Sequence, residues 1–78
     1  MSDLEHLVFS LHALDRMTQR EIRVSDVQRA MDQEGPTSYD LDGNHRYDAE
    51  VDGRTIRVVT SAENPLFVIT VYRLDQPS

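Results

Sequence analysis

His45-Arg-Tyr-Asp-Ala-Glu-Val-Asp-Gly-Arg-Thr-Ile-Arg-Val-Val-Thr-Ser61 is two alternating stretches joined by Asp52-Gly53. An Asp-Gly pair between such stretches predicts a two-residue type I′ turn, because both central residues of that turn need positive φ. The turn fixes the pairing: Val51 faces Arg54, Ala49 faces Ile56, Asp48 faces Arg57 and Tyr47 faces Val58. Side chains alternate across a strand, so this register sorts every residue of the hairpin onto one of two faces.

Downstream, Ala62-Glu-Asn-Pro65 reads as a four-residue loop, and residues 66–74 form the last and most apolar strand. Closing that loop as a hairpin predicts Arg57 opposite Thr70, Val58 opposite Ile69 and Ile56 opposite Val71. One face then carries Tyr47, Ala49, Val51, Ile56, Val58, Phe67, Ile69 and Val71, and it is the expected core. The other face carries Arg46, Asp48, Glu50, Thr55, Arg57, Val59, Val68, Thr70 and Tyr72. On it Asp48, Arg57 and Thr70 form a row, beside Glu50, Thr55 and Tyr72. Upstream, Asp42-Gly43 turns the chain after a weak edge strand over residues 37–41.

The N-terminal half has a period near four. Residues 6–9 read as a short lead-in strand. Ser10 is a helix N-cap, and the helix runs to about Arg20. His12, Arg16 and Arg20 share one stripe of it, and Leu11, Leu14 and Met17 form an adjoining apolar stripe. Ser25-Asp-Val-Gln28 fits a capping box for a second helix, with Val27, Ala30 and Met31 as its apolar face and Gly35-Pro36 as its stop. The expected fold is α+β: two N-terminal helices packed on one face of a three- to four-stranded antiparallel sheet. The chain reads as a single domain over residues 1–78, with 1–5 and 75–78 as flexible ends.

With 78 residues and a net charge of −6, the bulk field of the chain repels nucleic acid, which leaves only a local basic site for such a ligand. All eight basic residues are arginines. Lysine chemistry is therefore excluded, and any anion site must be built from guanidinium forks. The lack of cysteine removes thiol catalysis and Cys-ligated zinc. Three histidines at irregular spacing make no metal motif, so neither metal nor cofactor is expected. No apolar run approaches the length of a membrane span, and no signal-peptide pattern opens the sequence. A cytoplasmic location is the expectation.

The stripe of His12, Arg16 and Arg20 is either a solvated helix face or an anion-gripping edge. The exposed sheet row is either a cross-strand Asp–Arg pair that serves the sheet alone, or a shallow site. In the second case Arg57 holds an anion, Asp48 orients it, and Thr70 or Tyr72 donates hydrogen bonds.

The pattern His12-Ala13, Arg16-Met17, Arg20, Ile22 and Ser25-Asp26-Val27 resembles the opening of domain-of-unknown-function family 4258. Arg46-Tyr47, Gly53, Ile56-Arg57-Val58-Val59 and Val68-Ile69-Thr70-Val71-Tyr72 resemble its second half, and the likeness covers about residues 6–74. It implies a RelE/ParE/BrnT-like architecture, whose relatives include metal-independent ribonuclease toxins and gyrase poisons held by an antitoxin. His12, Arg16, Arg57, Thr70 and Tyr72 match the family's polar positions. Two departures stand out: Glu21 occupies a position often held by glycine, and the chain is acidic where ribosome-directed toxins are basic. Weak or lost nuclease activity fits these departures, as does a site reserved for a small anionic substrate.

Metal-independent RNA cleavage needs a base, a cation for the developing phosphorane charge, and an acid for the leaving oxygen. On that reading His12 is the acid or base, Arg16 and Arg57 stabilise charge, and Tyr72 or Tyr47 donates a proton or stacks on a base. Arg20, Asp48 and Thr70 then contact the substrate. The competing reading is a non-catalytic binding module that uses the exposed sheet face for an antitoxin, another protein partner or a second copy of itself.

Overall fold

In the computed structural model, which describes residues 7–75, the chain runs β1 (Val8–Phe9), α1 (Leu11–Arg20), α2 (Val24–Met31), β2 (Ser38–Tyr39), β3 (His45–Val51), β4 (Arg54–Thr60) and β5 (Phe67–Arg73). The expectations for residues 1–5, for His6 and for residues 76–78 lie outside the described residues. Asp75, expected in a flexible tail, accepts two hydrogen bonds from Arg73, from Nε at 2.9 Å and Nη2 at 2.8 Å.

The two helices and the sheet form the α+β architecture, but the sheet has five strands in the order β1-β5-β4-β3-β2. It is mixed, because β1 pairs with β5 in parallel. The lead-in strand reaches that edge position by feeding straight into α1. The β3/β4 register matches the expected one residue for residue. Asp52 and Gly53 both have positive φ, 53° and 80°, as a type I′ turn requires.

The β4/β5 register differs from the expected one. Arg57 lies opposite Tyr72, Val58 opposite Val71 and Ile56 opposite Arg73, two positions from the expected partners. Two one-residue shifts add up to it: the loop before β5 is one residue longer than expected, the Ser61 amide donating to the Phe67 carbonyl at 3.0 Å, and a β-bulge follows. Val59 faces Thr70 but Thr60 faces Val68, so Ile69 is an extra residue on β5. The longer loop inverts the faces of the first part of β5, ahead of the bulge. Val68 is fully buried in the core, whereas Phe67 and Ile69 stand outside the core cluster. Beyond the bulge the offset is two, alternation is restored, and Thr70 and Tyr72 keep the open face while Val71 keeps the core. The Ile69 carbonyl accepts from Ser10 Oγ at 2.6 Å, and the same Oγ accepts from the Ala13 amide at 2.9 Å. One hydroxyl therefore caps α1 and anchors it to the bulge.

Helix α1 buries Ala13 and Met17, one turn apart, rather than the expected Leu11, Leu14 and Met17 stripe. Leu11 is 86% exposed and Leu14 44% exposed. The helix lies against β5 at one side of the sheet and α2 lies over β3 and β4. Only a narrow strip of α1 meets the sheet, and a one-turn spacing fills it better than a three-residue one. Helix α2 starts earlier than expected. Its N-cap is Arg23, whose amide donates to Asp26 Oδ2 at 3.0 Å, so Asp26, not Gln28, closes the first turn. It ends at Met31, before Gly35-Pro36. Ile22, Val27, Ala30, Met31, Tyr47, Val51, Ile56, Val58, Val68 and Val71 complete the core with Ala13 and Met17. Burial of these side chains is the main favourable term of folding.

Candidate functional site

The helices cover one face of the sheet and leave the other open. On the open face, the rows Arg46–Val59–Thr70 and Asp48–Arg57–Tyr72 cross β3, β4 and β5. All of these but Asp48 line a groove of about 570 Å³, which also takes in Asp40, Asn44, Ile69, Arg73 and Leu74. Two of the chain's arginines, Arg46 and Arg57, thus share one concave surface of an acidic protein, while Arg73, opposite the core residue Ile56, points to the helix side.

Each arginine is held. Arg57 makes a bidentate pair with Asp48, Nε to Oδ1 at 2.7 Å and Nη2 to Oδ2 at 2.8 Å. The register puts the two directly opposite, and period-two alternation points both away from the helices. The hydrogen bond from Arg57, which outweighs partial burial, holds the Asp48 carboxyl below its usual range. The same bond raises Arg57. Asp48 is therefore an ionised orienting group rather than a proton acceptor near neutrality. Arg46 donates from Nε to Ser38 Oγ at 3.0 Å and from Nη2 to the Tyr39 carbonyl at 2.9 Å. Among the described residues, Nη1 of Arg46 and of Arg57 has no acceptor, so each guanidinium has donors left for a ligand.

The end of the groove is built by the loop between β2 and β3. Asp40 Oδ1 accepts from the amides of Asp42 and Asn44, each at 2.9 Å, and Oδ2 accepts from Asn44 Nδ2 at 3.1 Å. Gly43 supplies the positive φ of 84° that the turn needs. Asn44 Oδ1 in turn accepts from the Ala62 amide at 3.0 Å, which ties this loop to the one before β5.

Of the expected site residues, the structure brings together Arg57, Asp48, Thr70 and Tyr72 on the open face. It does not bring His12, Arg16 or Arg20 among the groove-lining residues. His12 is exposed on α1, and Arg16 is partly buried with Nε lacking a partner among the described residues. Tyr47 sits in the core on the helix side, where burial raises its phenol. His45 begins β3 and packs edge-on against Tyr39, ring centroids 5.2 Å apart. The expected apolar pair on the open face is split, since Val59 lines the groove and Val68 is in the core. Arg46 and Arg73 are groove residues that the sequence reading did not name as site residues. Arg46 was within reach of it, being two positions from Asp48 on the same face.

The chain is thus a small α+β domain whose uncovered sheet face carries a groove with two arginines. The chain belongs to the family described as Domain of unknown function (DUF4258), whose model matches residues 9–73. No curated protein and no solved structure matches it.

Proposed function

We propose that this chain is a RelE/ParE/BrnT-type cytoplasmic protein whose open sheet face binds single-stranded RNA, with little or no strand cleavage. The observation that carries the reading is the placement of Arg46 and Arg57, each with donors to spare, on one groove. Guanidinium forks suit phosphodiester oxygens, and Tyr72, 44% exposed beside them, offers a ring on which a base can stack. The case against efficient cleavage is also geometric. His12 is absent from the groove lining, and Asp48 is committed to Arg57. The groove therefore holds charge-stabilising groups without a free general base, which favours binding over turnover.

Fluorescence anisotropy with a labelled single-stranded RNA oligomer tests this, at about 50 mM salt because such contacts are strongly salt-dependent. Chelator in the buffer allows cleavage to be scored on the same samples without metal. Arg57→Ala should weaken binding roughly tenfold, about the effect of losing one charge-assisted contact. His12→Ala should leave binding unchanged. Failure of the unmodified protein to bind RNA removes the reading. Rapid metal-free cleavage that His12→Ala abolishes would replace it with the ribonuclease one.

A further inference from the structure

The groove is not lined as a phosphate site alone. Its centre is Val59, almost fully buried, flanked by Ile69 and with Leu74 at the rim. A bare anion gains nothing from this apolar floor, and neither does a sugar-phosphate backbone. A flat ring laid on it does. The charged donors stand to one side: Arg46 is in the same row as Val59, and Arg57 is in the next row, opposite Tyr72. Each of the two guanidiniums keeps its Nη1 for a ligand once Ser38, Tyr39 and Asp48 have taken the other contacts.

Thr70 adds an independent observation. It lines the groove opposite Val59, is only 6% exposed, and its Oγ1 has no partner among the described residues. A buried hydroxyl without a partner is uncommon in a folded protein. The oxygen is buried as it stands, and a χ1 rotation, which exchanges hydroxyl and methyl between staggered wells, is what would present it to a ring resting on Val59. A ring with polar atoms on its edge meets that hydroxyl and a plain hydrocarbon does not. The volume of about 570 Å³ lies within the range of sites for one small organic ligand.

We propose that the groove is a one-nucleotide site. It takes a nucleoside monophosphate, free or as one unit of an RNA strand, with the base on Val59 and Ile69 under Tyr72, the base edge on the Thr70 hydroxyl, and the phosphate on Arg46 and Arg57. This deepens the RNA-binding reading and rests on it for the strand-borne case only. The phosphate supplies charge, the floor supplies ring burial, and Thr70 supplies the discrimination between a base and a plain ring.

Titration of the full chain, followed by amide chemical shifts, uses AMP, UMP, adenosine, inorganic phosphate and a six-nucleotide RNA as separate probes. The nucleotides should bind at least tenfold more tightly than phosphate or adenosine, with shifts at Val59, Thr70 and Tyr72. Thr70→Val should weaken the nucleotides about fivefold and leave phosphate unchanged, and Thr70→Ser should restore them. The melting temperature of each variant reports whether the fold is intact, and Tyr72→Ala, at an exposed position, tests the stacking if Thr70→Val unfolds. Phosphate binding as tight as AMP overturns the inference, as does nucleotide binding indifferent to both variants. RNA binding that depends on Arg57 without mononucleotide binding ends the one-nucleotide site and leaves the RNA reading. Mononucleotide binding in the groove without RNA binding does the reverse. No binding of either overturns both.

Discussion

The sheet carries an Asp–Arg pair on each of its faces, and the two pairs do different work. On the helix side, Arg54 Nη2 reaches Asp26 Oδ2 at 2.8 Å, and Arg54 Nη1 donates to the Glu21 carbonyl at 2.7 Å. The Asp26 side chain is fully buried. It also accepts from the Arg23 amide that opens α2. The pair thus joins the end of α1, through Arg54, to the start of α2, through Asp26, at the first residue of β4. On the open face, Asp48 and Arg57 meet with the same chemistry at similar distances, but both side chains are partly exposed and both belong to neighbouring strands. Breaking the first pair disconnects three elements. Breaking the second disturbs a row of a sheet that the turn and the core already fix. Identical partners therefore make a structural joint where water is excluded and an adjustable binding group where it is not.

The largest expected effect follows from that contrast. Arg54→Ala leaves Asp26 charged, buried and short of a partner, which costs about 3–5 kcal/mol. A domain of this size has on the order of 5–10 kcal/mol in total, so the variant should sit near the edge of folding, with a greatly lowered urea midpoint. An unchanged midpoint would mean that Asp26 is served by Arg23 alone and would erase the distinction between the pairs.

Acid should act on the same joint. Burial pushes the Asp26 carboxyl up, but the Arg23 amide, the Arg54 hydrogen bond and the two nearby guanidiniums outweigh it, so the folded value is lowered. A lowered folded value contributes stability that is complete above the ordinary carboxylate range and is lost as pH falls through the folded value. Melting temperature should hold down to about pH 4 and then drop. In Asp26→Asn the protein should begin less stable and show a shallower acid drop. Equal acid limbs in both proteins would assign acid sensitivity to other carboxylates, Asp48 among them.

The hairpin was legible because Asp52-Gly53 specifies its turn locally, and Asp48 and Arg57 follow from that turn by counting. The bulge at Ile69 was not, since it answers to a contact with Ser10 some sixty residues away in sequence, a partner that no local pattern names. The faces of Thr70 and Tyr72 survived the misplaced register because two residues of offset restore alternation. Val68 and Ile69, inside the one-residue stretch, did not. The exposed Leu11 and Leu14 show the same limit for a helix: a three-residue spacing proposes a stripe, but the sheet below decides which stripe is covered. The candidate set of His12, Arg16 and Arg57 divided for a topological reason, since it combined a helix on one side of the sheet with a strand face on the other.

A smaller effect is expected on the open face. Asp48→Asn keeps the size of the side chain and removes its charge. A partly exposed pair of this kind contributes about 1 kcal/mol or less, so the midpoint should move slightly. Arg57 loses its internal anion, and binding of phosphate or RNA in the groove should tighten several-fold. Weaker binding instead would show that Asp48 orients Arg57 for the ligand more than it competes with it. A midpoint shift as large as that of Arg54→Ala would make both pairs structural joints.

The smallest expected effect sharpens the account of the buried joint. Glu21 ends α1 in the left-handed region, with φ 57° and ψ 43°. Its amide and that of Ile22 turn back to the Thr18 and Met17 carbonyls at 3.3 and 2.8 Å, the pairing that normally selects glycine. A side chain there costs about 1–2 kcal/mol, part of which glycine returns as extra freedom in the unfolded chain. Glu21→Gly should therefore stabilise the protein by roughly 0.5–1 kcal/mol. The backbone carbonyl that receives Arg54 is retained, so the joint itself is untouched. What the substitution removes is the attraction between the Glu21 carboxylate and Arg73, which salt should screen. Chemical denaturation at low and high salt separates the two contributions: the gain from glycine should grow with salt, because the wild-type protein loses its compensating attraction while the backbone term stays fixed. A gain that shrinks with salt would place the cost of Glu21 in its charge and not in its backbone.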